Sequence, residues 1–169
     1  TLSALVKESL RMRPDRVVVG EIRDGNAAMD MLQAMNTGHE GSMGTVHANS
    51  PRDCFTRIDG MVAIAGMKID QQAVYSQVAS ALDLIVYQTR MRDGSRAVTH
   101  IVEITGMEGS VISMQDIFVR PAHAEGASDP LRAAGLIPNC YQKIIDSGQT
   151  IDRGMFLLPD EVGSANRWR

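Results

Sequence analysis

The chain has 169 residues, a formal net charge of −3, 44% hydrophobic residues and 22% charged residues. This length allows one sizeable core, and the composition is ordinary for a globular domain. The net charge gives no support for a nucleic-acid-binding surface, which is normally basic. No apolar run approaches the roughly 18 residues that a membrane-spanning helix needs. Two unpatterned cysteines, Cys54 and Cys140, indicate reduced thiols rather than a disulfide framework.

The chain begins with a predicted helix followed by a short apolar strand. Apolar side chains at helical spacing predict the helix over residues 2–10, and Pro14 ends it. Three consecutive valines at 17–19 can be buried on both faces of a parallel sheet. We therefore expect Glu21 at the carboxyl end of this strand, the edge at which open α/β sheets bind ligands.

A second helix and a second strand follow. Residues 27–35 have helical spacing, with Gly38 available to terminate the helix. Met43 to Val46 then reads as a strand that carries His47 to the same edge as Glu21, provided that the two strands are parallel.

Two more helices are predicted before the pattern changes. Residues 50–53, Ser-Pro-Arg-Asp, form a helix start in which Pro51 takes the first helical position. The apolar face of this helix consists of Phe55, Ile58, Met61 and Val62, and Gly66 ends it. Asp70 starts the next helix.

The second half of the chain reads as strands and then as irregular sequence. Segments 84–89, 97–104 and 111–118 have strand character, and the Asp-Gly and Glu-Gly turns between them favour an antiparallel meander. We predict a division into residues 1–120, a linker at 121–130 and a short helical or irregular segment at 131–169. Within the last segment a helix is expected near residues 141–146.

Glu21 is the strongest candidate for chemistry. A carboxylate on a rigid strand end can orient a water molecule for in-line attack on a phosphorus atom. From the sequence pattern alone, a solvated glutamate at a strand end is an equally good explanation. Arg23 lies two residues on and projects to the same face, where it either pairs with Glu21 or reaches a phosphate.

His47 is the second candidate, because an imidazole at a strand end can donate a hydrogen bond to a phosphate or to Glu21. A lone histidine is more often structural. Thr45 is expected to support the same edge. The basic residues Arg11, Arg13 and Arg16 indicate a solvated face more than a nucleotide contact.

A zinc hydrolase is the rival enzyme class, suggested by His39, Glu40 and His47. Its helical HExxH motif needs a second histidine at position 43, where this chain has methionine in a glycine- and serine-rich stretch. The spacing therefore argues against zinc.

Several long segments resemble those of a known family in their sequence and in their order along the chain. Residues 16–23 (RVVVGEIR) resemble the Walker B motif of the type II/type IV secretion ATPases, and residues 37–48 (TGHEGSMGTVHA) resemble their His box. Further matching segments are LRMRPDR, HANSPRD, RMRDGSRAVTHIVEITGMEG and MQDIF. Taken together, these segments most resemble the Tad/Flp pilus-assembly (CpaF-type) branch of the family.

The resemblance implies a fold and a function. The fold would be α/β: the C-terminal half of a RecA-like P-loop ATPase sheet with an antiparallel β extension and a small helical C-terminus. Glu21 would activate water and His47 would sense the γ-phosphate of ATP, with Gly20, Arg23 and Thr45 at the nucleotide. The resemblance implies Mg²⁺ without assigning its ligands; Glu21 would lie near the ion through water.

The resemblance also implies partners and a location. Identical subunits would form a hexamer at the cytoplasmic face of an inner membrane, where a platform protein would bind it. ATP hydrolysis would drive pilus assembly or protein secretion, and nucleic acid is not an expected partner.

The chain departs from the family in two ways. No GxxxxGK[ST] phosphate loop occurs in it, so we expect no ATP hydrolysis by these residues alone. Gly44 stands where the family often has threonine. The alternative function is a non-catalytic oligomerisation or interaction module of a secretion machine.

Overall fold

A computed structural model describes residues 1–122 and 124–158. They fold as a mixed α/β chain that divides into two compact units. Unit 1 comprises Thr1–Leu82 and Gly106–Ser113, and unit 2 comprises the remaining described residues. The helices and strands, in chain order, are α1 (Leu2–Arg11), β1 (Val18–Val19), α2 (Gly25–Asn36), β2 (Met43–Gly44), α3 (Asp53–Ile64), α4 (Gln71–Ala81), β3 (Leu84–Arg90), β4 (Arg96–Glu108), β5 (Val111–Val119), β6 (Arg132–Ala133) and α5 (Cys140–Asp146).

Unit 1 contains a short parallel sheet packed against helices. β1 pairs with β2 in parallel, with Val18 opposite Met43. Val17 and Val19 are buried together with side chains of α1 and α2. Val18 is 68% exposed, so the expected burial of all three valines on both faces is wrong. Among the described residues, the core helices cover only the face that carries Val17 and Val19.

The helix boundaries in unit 1 follow local capping. Asp24 accepts a hydrogen bond from the Ala27 amide, so α2 begins at Gly25, two residues before the predicted start. Asp70 caps α4 in the same way, as predicted. A left-handed backbone at Gly38, with φ of +93°, follows α2.

α3 has the predicted apolar face but a different start. Its four buried hydrophobic residues are Phe55, Ile58, Met61 and Val62, as the spacing predicts. Ser50 accepts a hydrogen bond from the Asp53 amide at 3.0 Å, and α3 begins at Asp53 rather than at Pro51. Pro51 therefore lies in the turn before the helix, because the Ser50 side chain closes that turn first.

Unit 2 is built on a four-stranded sheet in the order β3-β4-β5-β6. The β3–β4 and β5–β6 pairs are antiparallel, as a meander requires. β6 was not predicted, because a two-residue strand leaves no periodic pattern. In the core, the ring of Phe156 lies 5.7 Å from that of Phe118 and 6.0 Å from that of Tyr141, between ring centroids.

A buried carboxylate joins α5 to this sheet. Glu103 on β4 is 2% exposed and accepts hydrogen bonds from the Gln115 side chain and from the amides of Asn139 and Cys140. The predicted helix near 141–146 is confirmed as α5. The last part of the predicted C-terminal segment, residues 159–169, lies outside the described residues. The division at 120 and 130 stays a prediction.

Candidate active site

The parallel pairing of β1 with β2 brings the two candidate segments to the same edge. Beyond the strands, the Ile22 amide donates to the Thr45 carbonyl at 2.9 Å. The Thr45 hydroxyl donates to the Gly20 carbonyl at 2.5 Å. These two bonds continue the pairing past the last strand residues. They hold Gly20 and Ile22, the residues on both sides of Glu21, to Thr45. Thr45 lies two residues before His47.

The Glu21 carboxylate is contacted from two sides. Arg23 Nη2 donates to Glu21 Oε2, and His47 Nε2 lies 3.1 Å from Glu21 Oε1. The Glu21 side chain is 24% exposed, whereas those of Arg23 and His47 are 77% and 87% exposed. The carboxylate is thus the least exposed member of a three-residue cluster whose other two members extend into solvent.

Electrostatics keep Glu21 ionised. The hydrogen bond from Arg23 is the main cause that lowers the pKa of this carboxyl below its ordinary value. The charge of Arg23 and the neighbouring His47 lower the pKa further, while burial opposes the shift. Glu21 therefore carries its charge at neutral pH and serves as a hydrogen-bond acceptor rather than as an acid.

The glycine at position 44 is close to the same cluster. A Cβ atom on Gly44 would lie 2.9 Å from Ile22 Cδ1, the flexible end of a side chain. A side chain there would displace the end of the Ile22 side chain slightly and would be in ordinary contact with the Val19 carbonyl, at 3.8 Å.

Other sequence candidates lie away from Glu21. His39 and Glu40 precede β2; the His39 carbonyl accepts from the Ser42 hydroxyl at 2.7 Å, and in the described part of the chain its Nδ1 is buried without a hydrogen-bond partner. Arg11 pairs with Glu8, and the Arg16 side chain lies beside Gly41. Within residues 1–122 and 124–158, no hydrogen bond or ion pair joins any of these side chains to Glu21.

A cavity of about 760 Å³ in unit 1 opens beside Arg23 and His47. Its wall includes Asn26 from α2 together with Asp53 and Arg57 from α3. Asp53 is already engaged by the amide of Asn49 at 2.9 Å. Arg57, in contrast, makes no ion pair with any carboxylate that the structure describes. The wall also includes Asp24, so the cavity is lined by charges of both signs.

Sequence reasoning missed the α3 part of this wall. Asp53 and Arg57 are four residues apart and therefore lie on one face of the helix. That face is separate from the buried one, and the spacing was available as a signal. The partner elements that turn the face into a cavity wall are distant in sequence, so spacing alone does not reveal a site.

In residues 1–122 and 124–158, no three or more His, Cys, Asp or Glu side chains group in a way that could hold a metal ion. In the same residues, no helix has the length and apolar character needed to cross a bilayer.

The sequence of this chain is similar to that of a known protein family and of several named proteins. The sequence family described as type II/IV secretion system protein matches residues 1–128. A Mycobacterium tuberculosis protein named for conjugal transfer is 44% identical over 111 residues, which are 66% of this chain and 31% of that protein.

Two further relatives are named TrbB and VirB11. The conjugal transfer protein TrbB of Rhizobium radiobacter is 38% identical over 105 residues, 62% of this chain and 31% of TrbB. The protein VirB11 of Agrobacterium fabrum is 38% identical over 88 residues, 51% of this chain and 25% of VirB11. The chain thus spans less than a third of the length of these relatives. The match over residues 1–128 covers both strands and the Glu21 cluster, and the chain therefore belongs to the type II/IV secretion system protein family.

Proposed function

We propose that this chain forms the part of a RecA-like secretion ATPase that activates the attacking water and senses ATP. The observation that carries the proposal is the position of Glu21, whose carboxylate lies between Arg23 and His47 at the carboxyl edge of parallel strands. Phosphoryl transfer requires little covalent chemistry from a protein, and mainly needs a positioned water and cations around the phosphate. One carboxylate and two exposed nitrogen donors match that need.

The pairing of Glu21 suggests the order of events. Both carboxylate oxygens are contacted, and each has a further lone pair that can accept a hydrogen bond from water. A γ-phosphate carries more charge than a carboxylate and competes for the same donors. Arg23 and His47 are exposed and have room to turn toward it. His47 would then report the presence of the γ-phosphate by leaving Glu21, and Glu21 would orient water.

Residues in this chain do not complete the site. The 169 residues hold no phosphate loop, so hydrolysis requires a chain or segment that supplies one. Mg²⁺ accompanies ATP in such enzymes and neutralises developing charge. Mg²⁺ is usually held by one or two carboxylates together with waters and the substrate phosphates, and Glu21 would lie near the ion through water.

The family suggests the setting of this activity. We propose that the complete protein is a homohexamer that works at the cytoplasmic face of the inner membrane with a platform protein. There, ATP hydrolysis would drive pilus assembly or secretion. The motif sequences favour the Tad/Flp branch, while TrbB and the mycobacterial relative are named as conjugal transfer proteins.

The decisive experiment compares Glu21→Gln with wild type in the complete protein, including its phosphate loop. The substitution preserves shape and removes charge. We expect kcat to fall by roughly 100-fold or more, equivalent to about 2.7 kcal/mol of barrier, with ATP binding unchanged. Glu108→Gln is the matched control, because Glu108 is an exposed carboxylate at the end of β4. Unchanged turnover in Glu21→Gln would refute the assignment.

A second candidate function is an oligomerisation or interaction module without catalysis. The observation that favours it is the pair Val18 and Met43, which are opposite each other in register and 68% and 59% exposed. Unpaired apolar side chains on one sheet face are suited to a protein contact. If Val18→Ser disrupts assembly while Glu21→Gln leaves turnover intact, this candidate replaces the first.

A further inference from the structure

Unit 2 contains a cavity of about 300 Å³ that no proposed step uses. It lies where β3 and β4 pair, and its wall includes Tyr87 and His100. These two residues are opposite each other in register, with ring centroids 6.0 Å apart. The other polar wall residues are two threonines, Thr89 and Thr99, and three arginines, Arg90, Arg92 and Arg120. The cavity wall therefore combines an aromatic pair with three cationic side chains.

Arg120 is fixed in this wall by neutral groups only. Its Nε donates to the Val98 carbonyl at 3.0 Å, and its Nη1 donates to the Gly126 carbonyl at 3.4 Å. The residue is half-buried. Among the described residues it forms no ion pair with a carboxylate. A partly desolvated guanidinium with carbonyl partners alone keeps its full charge uncompensated.

The other two arginines add to this charge. Arg90 Nε donates to the Gly94 carbonyl at 3.2 Å, which anchors the guanidinium and leaves its terminal nitrogens without a described partner. Arg92 is exposed and has no hydrogen bond or ion pair within the described chain. Three like charges around one small cavity repel one another, and an anion between them would relieve that repulsion.

Nearby acids do not neutralise the arginines. No carboxylate belongs to the cavity wall in the described part of the chain. Asp93, on the adjoining turn, accepts hydrogen bonds from the Ser95 amide at 2.9 Å and hydroxyl at 2.6 Å. Asp129 accepts from the Glu125 amide. Asp93 and Asp129 are thus engaged with neutral donors, and among the described residues no ion pair joins either of them to the arginines.

We propose that this cavity binds a phosphate group. Arginine presents a planar fork of donors that matches phosphate oxygens, and three arginines suit a dianion better than a carboxylate. A volume of about 300 Å³ is at the lower end for ligand sites. A small head group therefore fits, and a whole nucleotide does not. The phosphate comes either from a soluble ligand or from an anionic lipid head group.

The test uses pyrophosphate as the probe. It is titrated by calorimetry into the complete protein after saturation with ADP and Mg²⁺, so that the ATPase site is already filled. We expect a further binding event that weakens roughly tenfold in Arg92→Gln and in Arg90→Gln, since each loses charge-assisted donors. Arg120 is left intact because it also holds the Gly126 backbone.

Arg132→Gln is the matched control, since Arg132 is an exposed arginine of unit 2 outside the cavity. It should bind pyrophosphate as wild type does. Absence of the further event, or equal weakening in the control, overturns the proposal. Cosedimentation with vesicles containing phosphatidic acid distinguishes the sources. Vesicle binding that is lost in the same two variants identifies a lipid head group, and pyrophosphate binding alone identifies a soluble ligand.

Discussion

Thr45 is tied to Gly20 by a side-chain hydrogen bond of 2.5 Å, from its hydroxyl to the Gly20 carbonyl. The bond joins the residue immediately before Glu21 to the segment that carries His47. Together with the bond from the Ile22 amide to the Thr45 carbonyl, it holds these segments to each other beyond the sheet. The distance between the Glu21 carboxylate and the His47 imidazole thus depends on Thr45.

Thr45→Val removes this bond while keeping the shape of the side chain. We expect the free energy of unfolding to fall by about 1 kcal/mol, the usual contribution of one hydrogen bond. Turnover in the complete protein should fall more than this stability change explains, because Glu21 and His47 lose their fixed spacing. Chemical denaturation and steady-state kinetics measure the two effects.

The control for this change is Thr105→Val, at an exposed threonine of β4 without a described hydrogen-bond partner. It should leave both quantities near wild type. If Thr45→Val keeps wild-type turnover, the position of Glu21 is set by the strands alone.

The pKa of Glu21 should depend on Arg23. The Arg23 hydrogen bond is the main cause that lowers this pKa, so Arg23→Gln should move it upward, toward the ordinary value of about 4.3. A lowered folded-state pKa stabilises the native state above the unfolded value, and this contribution is lost as the pH falls through the folded value. Wild type should therefore retain this contribution to a lower pH than the variant does.

Carbon NMR of the Glu21 carboxyl group, followed as a function of pH, measures the shift directly. Arg16→Gln is a suitable control, because Arg16 is exposed and makes no described contact with Glu21. An identical Glu21 titration in wild type and Arg23→Gln would show that the guanidinium does not hold the carboxylate in solution.

Much of the site could be predicted because its geometry follows from local pattern. The apolar run before Glu21 and the short strand before His47 indicated parallel strands, and the pairing is confirmed. The cap of α4 at Asp70 could be predicted for the same reason, since capping acts within four residues.

What could not be predicted depends on distant partners. Glu103 is 2% exposed, although the strand pattern alone does not show that this carboxylate is buried. Its partners at 139 and 140 are 36 and 37 residues away. Val18 was expected to be buried but is exposed. A run of three valines does not show which face of the strand a helix covers.

Glu103→Gln should loosen the C-terminal segment. The carboxylate accepts hydrogen bonds from Gln115, from the amide and side chain of Asn139 and from the Cys140 amide. An amide group replaces one acceptor oxygen by a donor that faces other donors. We expect a loss of roughly 2–4 kcal/mol of unfolding free energy, since hydrogen bonds to a buried charged group are strong.

Hydrogen exchange at the Cys140 amide locates the effect, which should be faster exchange in α5 than in wild type. Asp116→Asn is the control, because Asp116 is an exposed carboxylate of β5. Slow exchange in both variants would mean that α5 is held by its aromatic contacts alone.

Gly25 sets the approach of α2 to α3, and two glycines of unit 1 provide a matched test. A Cβ atom on Gly25 would overlap the backbone carbonyl of Met61, whereas a Cβ atom on Gly60 would meet nothing within 4 Å. Gly60→Ala should therefore stabilise the chain by roughly 0.5–1 kcal/mol, the gain from replacing a helical glycine. Gly25→Ala should destabilise it by roughly 1–3 kcal/mol, the usual cost of overpacking, because backbone atoms rather than a flexible side chain must move.

Thermal and chemical denaturation of the two variants side by side measure the difference in sign. Equal stability of the two variants would mean that α2 moves away from α3 at little cost, and the cavity beside Arg23 would then be wider than its present volume of about 760 Å³.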